Sequence, residues 1–438
     1  MIWSLLTGFA ATMNAIILID PVTEWNQVLE AAKEKNLVTI AIQLSPVPSH
    51  MRKFIPTEES LYEAGVDHVL DLQDRDCFNC VNALQLLTIE ENLKIQASIP
   101  LSETAVDYVD VIAAMLGLEH HNLLPLITSR RDKGLMKEAV LRSGIRVAAF
   151  ARIHDICDIE SVMDEHLLVW PVVVKTPQGF STADVFICGS LLEARQAVHN
   201  IVGCLGPGGR RASHALLEEY IDGTEFAINL MAFDGTLTVT DVWKYAKTEK
   251  ARYIRAEICD PNDERLQHVV QYSIRVACAV GIRYGAAHVE VKASLDFDGT
   301  FVDPCMIEVG SRLSGGRKAT MTQAALKGSW DPFTAMIDSY SGIPPEFPST
   351  FTPNLFVGHL FLPVDSAGFV EDIELDEADL TTLHSRAMLV SKGDFVKETT
   401  DITSCAGFLW LVGDKADVER DMVRALSSFK LTITDRVN

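Results

Sequence analysis

Positive charge is what this sequence is short of. Its 438 residues carry 38 Lys and Arg against 60 Asp and Glu, a formal net charge of −22. A surface of that sign repels nucleic acid and anionic membranes, so neither is an expected partner. It leaves room for a nucleotide ligand, because a few lysines and arginines gathered in one cleft act locally. Nine cysteines, odd in number and without framework spacing, exclude a disulfide scaffold and fit a reducing compartment. The one CxxC, from Cys77 to Cys80, has no second ligand pair at finger-like spacing, and packed or exposed thiols are its plainer reading. No charge-free apolar run reaches membrane-spanning length. Residues 1–13 are apolar but have no basic flank and are too short to span. Residues 1–12 read as an added segment, or as a misassigned start with Met13 the initiator, and the cytoplasm is the expected location. There is no internal repeat, no low-complexity tract and no GxGxxG after the first strand, which argues against a nicotinamide site there.

What is present is a globular composition, 48% hydrophobic and 22% charged, in a chain long enough for two or three cores. The apolar run 15–20 and the run 37–44 read as buried strands with a helix over 24–35 between them. A short strand at 68–72 and a helix over 80–91 follow, so strands and helices alternate as in a parallel α/β domain. An amphipathic helix is expected over 132–143 with Gly144 as its C-cap. Two strands flank the turn-rich loop 176–182, a helix covers 191–202, and strands are expected over 216–221, 226–233 and 237–243. A helix over 265–281, a strand pair over 286–292 and 301–309, and one helix over about 318–339 complete the core. The proline-rich stretch 344–353 reads as a linker. Strands at 359–363, 387–390 and 408–412 and a helix over 418–429 then suggest a small β-rich lobe.

Several residues in this frame carry chemistry. Lys175 ends an apolar strand just before Gln178-Gly179-Phe180-Ser181-Thr182, where backbone N–H groups and hydroxyls can cover a phosphate. Taken alone, a surface hairpin with a strand-end lysine is the plainer reading. The segment Glu218-Glu219-Tyr220-Ile221-Asp222-Gly223-Thr224-Glu225 offers a carboxylate, a free backbone edge and a second carboxylate, enough to hold a purine and its ribose. Alone it is an ordinary acidic strand and turn. His288 and Glu290 share one face of a strand by period-2 alternation, and Glu308 lies on the next strand. Two inward carboxylates beside phosphates suit paired Mg²⁺ ions. Arg312 follows within Gly310-Ser311-Arg312-Leu313-Ser314-Gly315-Gly316, where a cation can clamp developing charge and the glycines give room. His288 reads equally as a catalytic group or as a buried neutral one.

Together, from Lys133 to Gly316, these residues resemble the ATP-grasp superfamily. The resemblance rests on Asp132-Lys133, Lys175 before a glycine-rich loop, the Glu-Glu-Tyr-Ile hinge with Gly-x-Glu, His-x-Glu, and Ile-Glu-x-x-x-Arg. It implies an α/β and α+β chain with the ATP-grasp fold. An N-terminal parallel α/β domain would cover 1–125, a two-lobed ATP-binding core 126–343, and a C-terminal β-rich lobe 354–438. By the same resemblance Lys133 and Lys175 would contact ATP phosphates, with Gly179 and Ser181 in the covering loop. Glu218 and the Ile221 backbone would hold adenine, and Glu225 the ribose. Glu290 and Glu308 would hold two Mg²⁺ ions, with Mn²⁺ as a substitute. Arg312 would meet the acyl phosphate, and His288 would act beside it.

Within the superfamily the chain is most similar to the amino-acid ligases that make dipeptides, including those of peptide-antibiotic pathways. The segment Leu101-Ser102-Glu103-Thr104-Ala105-Val106 and the strand Phe361-Leu362-Pro363 share in that similarity. The implied activity is ADP-forming amide ligation between a small carboxylate and an amino acid. A homodimer is compatible with it, since members are often dimers. One departure is Gly310, where many members have the Asn of Ile-Glu-x-Asn, so His288 or water would complete the second metal's shell. The alternatives are a carboxylase, a purine-pathway ligase, or a nucleotide-binding protein that has lost catalysis. No biotinyl motif and no ribosyl-phosphate site are evident, and a mere binder would not need Glu290, Glu308 and Arg312 together.

Overall fold

The apolar run that opens the described chain has no alternation because both of its faces are covered. The computed structural model describes residues 11–45, 55–73, 76–179, 184–206, 209, 211–248 and 252–435. Four parallel strands, β1 (Met13–Ile19), β2 (Val38–Gln43), β3 (His68–Asp71) and β4 (Leu93–Pro100), pair in the order β3-β2-β1-β4. Around them lie α1 (Trp25–Glu34), α2 (Glu58–Ala64), α3 (Cys77–Glu90) and α4 (Val109–Met115). Ile17 and Ile19 pack toward α3 and α4, whereas Ile16 and Leu18 meet α1 and a helix from far down the chain. Each such side chain removed from water contributes about 1.5–3 kcal/mol.

The segment after α5 (Lys133–Arg142) builds a separate antiparallel sheet from β5 (Phe150–Ile153), β6 (Val172–Lys175), β7 (Val185–Cys188) and β8 (Ala215–Glu219), in the order β5-β8-β6-β7. Its core is closed by α6 (Ile159–Glu165) and α7 (Leu191–Ile201). The central sheet takes β9 (Thr224–Phe233), β10 (Thr236–Lys247), β11 (Tyr253–Cys259), β12 (Gly285–Leu295) and β13 (Phe301–Gly310), with α8 (Gln267–Ala279) packed on one face. Then come α9 (Lys318–Ala325) and α10 (Pro332–Tyr340). The chain ends with β14 (Phe356–Leu362), β15 (Gly368–Glu374), β16 (Leu383–Met388), β17 (Phe395–Val396), β18 (Gly407–Gly413), α11 (Lys415–Ser428) and β19 (Lys430–Thr434).

The C-terminal lobe is present, and its strands are hydrogen-bonded into the central sheet. That sheet runs β13-β12-β9-β10-β11-β14-β18-β16, while β15, β17 and β19 form a small sheet of their own. β11, absent from the sequence reading, is the bridge, pairing β10 on one side and β14 on the other. The single helix expected over 318–339 is two helices. Lys327 and Gly328 both take positive φ, 52° and 72°, and Asp331 caps α10 by accepting from the N–H groups of Phe333 and Thr334. Pro332, without an N–H to donate, suits the first turn of a new helix and not the middle of an old one. The helix expected over 80–91 begins earlier, at Cys77, because Asp76 caps it on Asn79 N. Among the described residues no helix is long and apolar enough to cross a membrane. None of the nine cysteines is in a disulfide, and Cys80 is a core residue.

Candidate active site

A cleft of about 770 Å³ opens between the small antiparallel sheet and the β12–β13 end of the central sheet. Part of its lining is apolar, from Ala148, Val173, Ile187 and Met306. Another part is ionic, from Lys133, Lys175, Glu290, Glu308 and Arg312. Lys133 is the first residue of α5, whose N-cap Asp132 accepts from Gly134 N and Leu135 N. That cap fixes the helix start, and Lys133 Nζ donates to Gly179 O at 2.6 Å and lies 2.8 Å from Glu308 Oε2. The lysine therefore ties the glycine-rich loop to β13.

Lys175 stands at the end of β6 and meets Glu218 of β8, the strand beside it, at 2.9 Å. Glu218 Oε2 also receives Lys137 at 3.3 Å, a buried lysine one helical turn after Lys133 that the sequence reading missed. The i, i+4 spacing on α5 was the available signal. Burial alone would raise Glu218, but the two ammonium groups lower it below the usual carboxylate range, so it is ionised. The structure thus gives Glu218 a part not foreseen, as the shared counterion of Lys137 and Lys175. Its Oε1 is buried and has no hydrogen-bond partner among the described residues, both lysines meeting Oε2.

At the hinge, Ile221 O accepts from Lys292 Nζ at 2.9 Å. Glu225 pairs with Lys247 at 2.6 Å, and Lys247 lies 4.0 Å from the centre of the Tyr253 ring. Lys247 and Lys292 are two further cleft lysines that strand periodicity alone does not mark. Gly179 lines the cleft, and Ser181 lies outside the described residues.

Glu290 and Glu308 are directly opposite each other in the β12–β13 register. With His288 they form a group whose ligand atoms all lie within 4.8 Å of one another. Two carboxylates at that separation push on each other. Burial and the neighbouring Glu308 charge raise Glu290, while Glu308 is pulled down by Lys133 against the effect of burial. A divalent cation relieves this repulsion, and hard oxygen donors are what Mg²⁺ takes, so the residues fit such an ion. His288 is buried and held to about 4, by burial first and then by the Arg312 charge. It is neutral near pH 7, a lone-pair donor and not a reservoir of charge.

Arg312 is gripped by Glu103 from the N-terminal domain. Its Nε and Nη2 reach Glu103 Oε2 at 2.8 and 2.7 Å, and its Nη1 donates to Leu313 O. Glu103 also meets Arg131 at 3.4 Å. The loop after β4 thereby completes the site from another domain. Trp243 is wholly buried and donates to Asp241 at 2.6 Å, whereas Tyr245 lines the cleft.

The ATP-grasp domain profile matches residues 168–320, which contain Lys175, the hinge, both glutamates and Arg312. Dapdiamide A synthase from Enterobacter agglomerans is 29% identical over 250 residues, 56% of this chain and 56% of that protein's length. Among solved structures, the L-amino acid ligase from Bacillus licheniformis superposes with a TM-score of 0.74 at 18% identity, over 97% of this chain and 99% of that one. N5-carboxyaminoimidazole ribonucleotide synthetase from Thermotoga maritima gives 0.66 at 16% identity, over 96% and 100%. Likeness at these identities shows a shared fold: an N-terminal α/β domain, a two-lobed core and a smaller β-rich C-terminal lobe.

Proposed function

With the chain a member of the ATP-grasp superfamily, we propose that it is an ADP-forming carboxylate–amine ligase that joins a small acid or amino acid to an amino acid. The observation that carries this reading is the Glu290–Glu308 pair set opposite in register, with Lys133 on one of the two carboxylates. In this reading Lys133 and Lys175 take the phosphates, under the loop that includes Gly179 and Ser181. The free Oε1 of Glu218 accepts from the adenine amino group, and the Ile221 backbone offers its N–H, its carbonyl being held by Lys292. Glu225 takes the ribose.

Glu290 and Glu308, with His288 beside them, would hold two Mg²⁺ ions, which when bound neutralise phosphate charge as the γ-phosphoryl group moves. The acid's carboxylate attacks the γ-phosphate, ADP leaves, and an acyl phosphate remains. Arg312, kept in place by Glu103, meets the charge on that acyl phosphate. The amine then attacks the acyl carbon, phosphate departs, and the amine's proton goes to solvent or to the departing phosphate. The loops at 176–179 and 313–317 exclude water, which would otherwise hydrolyse the acyl phosphate.

A phosphate-release screen over pairs of carboxylic and amino acids tests the reading. ADP and phosphate formed only when both an acid and an amino acid are present are expected. ATP binding with no release across the whole panel would instead indicate a nucleotide-binding protein without catalysis. Release dependent on bicarbonate would indicate a carboxylase.

A further inference from the structure

Four lysines are buried around the cleft, and three of them have a carboxylate. Lys133 has Glu308, while Lys137 and Lys175 share Glu218. The fourth, Lys318, is 5% exposed and makes no direct salt bridge among the described residues, the carboxylates of Glu290, Asp241 and Glu24 acting on it only from farther off. Its Nζ donates to Gly315 O at 3.1 Å and lies over the Tyr245 ring. Lys318 opens α9, whose first turn is already capped by Glu24, accepting from Thr320 N at 2.8 Å. Arg312, the other cation at this end, is already neutralised by Glu103.

Beside Lys318 is an unsatisfied group. His359 of β14 is 1% exposed, and neither of its ring nitrogens has a hydrogen-bond partner among the described residues. The ring is fixed by stacking on Trp410 at 4.9 Å and by Phe361 at 4.3 Å. Burial, and then Lys318, keep it well below the usual histidine range, so it is neutral and has one N–H to donate. The two side chains converge on Gly316. A Cβ there would stand 3.1 Å from His359 Cε1 and 3.6 Å from Lys318 Nζ, so the missing side chain leaves a gap between ammonium and imidazole. Gly316, Lys318 and His359 all line the cleft that holds Glu290 and Arg312. Buried polar groups without partners are costly, and those that face a cleft are satisfied when a ligand supplies the missing charge.

We infer that Lys318 and His359 bind the free α-carboxylate of the amino acid whose amine attacks, across Gly316. The inference rests on the ligase reading and deepens it, by assigning the residues that hold the second substrate. The acid being activated gives its carboxylate to phosphate at the Arg312 end of the cleft. The attacking amino acid keeps its carboxylate throughout, so a fixed ammonium can hold it in both steps. Tyr245 and Phe361 form the neighbouring wall for its side chain.

The test is thermal-shift titration of the full chain with Mg²⁺ and ADP, using the twenty proteinogenic amino acids and their primary amides. A charge-assisted contact predicts that a stabilising amino acid binds about 30- to 100-fold more tightly than its amide. Lys318→Met should erase that difference, and Lys318→Arg should keep part of it. Amides that bind as well as the acids, an undiminished difference in Lys318→Met, or no stabilisation by any of the twenty would each overturn the assignment. A carboxylate bound at the Arg312 end would also be preferred over its amide, so loss of the preference in Lys318→Met carries the assignment; should Lys318→Met fail to fold, Lys318→Gln replaces it. Hydroxylamine trapping of the acyl phosphate reads the ligase reaction separately. Hydroxamate formation without any acid-over-amide preference removes the carboxylate site and leaves the ligase, whereas no hydroxamate with any acid removes the ligase itself.

Discussion

Gly310 of β13 lies directly opposite His288 of β12, and the imidazole fills the space that a side chain at 310 would need. A Cβ there would stand 2.8 Å from His288 Nδ1, inside contact distance. The glycine and the histidine are therefore one arrangement: an asparagine at 310 and this imidazole cannot occupy the metal end of the cleft together. Gly310→Ala should displace the ring, cost about 1–3 kcal/mol as overpacking and lower turnover. His288→Gly in the same chain should restore most of the melting temperature, a non-additivity that a double-mutant cycle reads directly. An unchanged Tm in Gly310→Ala would mean the ring is not fixed there.

Much of this site is legible in the sequence because strand alternation carries it. Period-2 spacing puts His288 and Glu290 on one face, and the turn at Asp298-Gly299 brings Glu308 opposite. Lys175 before a glycine-bearing loop is likewise a local signal. What stays hidden is contact between residues far apart in the chain. Glu103 reaches Arg312 across 209 positions, and nothing local to Glu103 announces it. Lys137 looks like one more charge on an amphipathic helix, yet it is wholly buried against Glu218. The bridging role of β11 is invisible for the same reason, since pairing partners are a property of the sheet and not of the strand. The break between α9 and α10 was readable in Gly328 and in Asp331-Pro332, but the continuous apolar pattern outweighed it.

Glu308 pairs with Lys133, and in the proposed reading it takes a metal ion as well. Glu308→Ala would leave Lys133 buried beside an empty place, which costs about 3–5 kcal/mol. Glu308→Gln keeps an oxygen within reach of Lys133 while removing the charge. Turnover should fall about 100-fold or more in Glu308→Gln, with Tm changed little. Near-normal turnover at ordinary Mg²⁺ would sink the metal assignment.

Lys175→Ala should weaken ATP binding, because it removes a phosphate contact. Lys137→Met is the sharper experiment, since Lys137 reaches the cleft only through Glu218. Without it Glu218 has one ammonium in place of two and should hold Lys175 more tightly, drawing it away from phosphate. Calorimetry should show nucleotide affinity reduced about 10-fold in Lys137→Met, as expected for one weakened charge-assisted contact. Affinity equal to that of the unaltered protein would make Lys137 a packing residue.

In the metal-free protein the contribution of His288 to stability should be lost on acidification, and the sign follows from its depressed value. Its folded-state value of about 4 lies below the ordinary 6.5, so the folded chain binds its proton less readily than the unfolded chain does. Stability from this group is fully present above pH 6.5 and is lost as pH falls toward 4, an effect of about 3 kcal/mol. Glu290 works in the opposite sense. Burial first and then the Glu308 charge raise it to about 7, so protonation relieves both costs as pH falls from 7 toward 4.5 and nearly offsets the loss from His288. The two are separated by difference: urea unfolding of the unaltered protein and of His288→Asn, both without metal, between pH 4 and 7. The stability gap between them should change with pH in step with a single proton. A gap independent of pH would show that His288 is not held neutral by its surroundings, and with that its part as a lone-pair donor would fall.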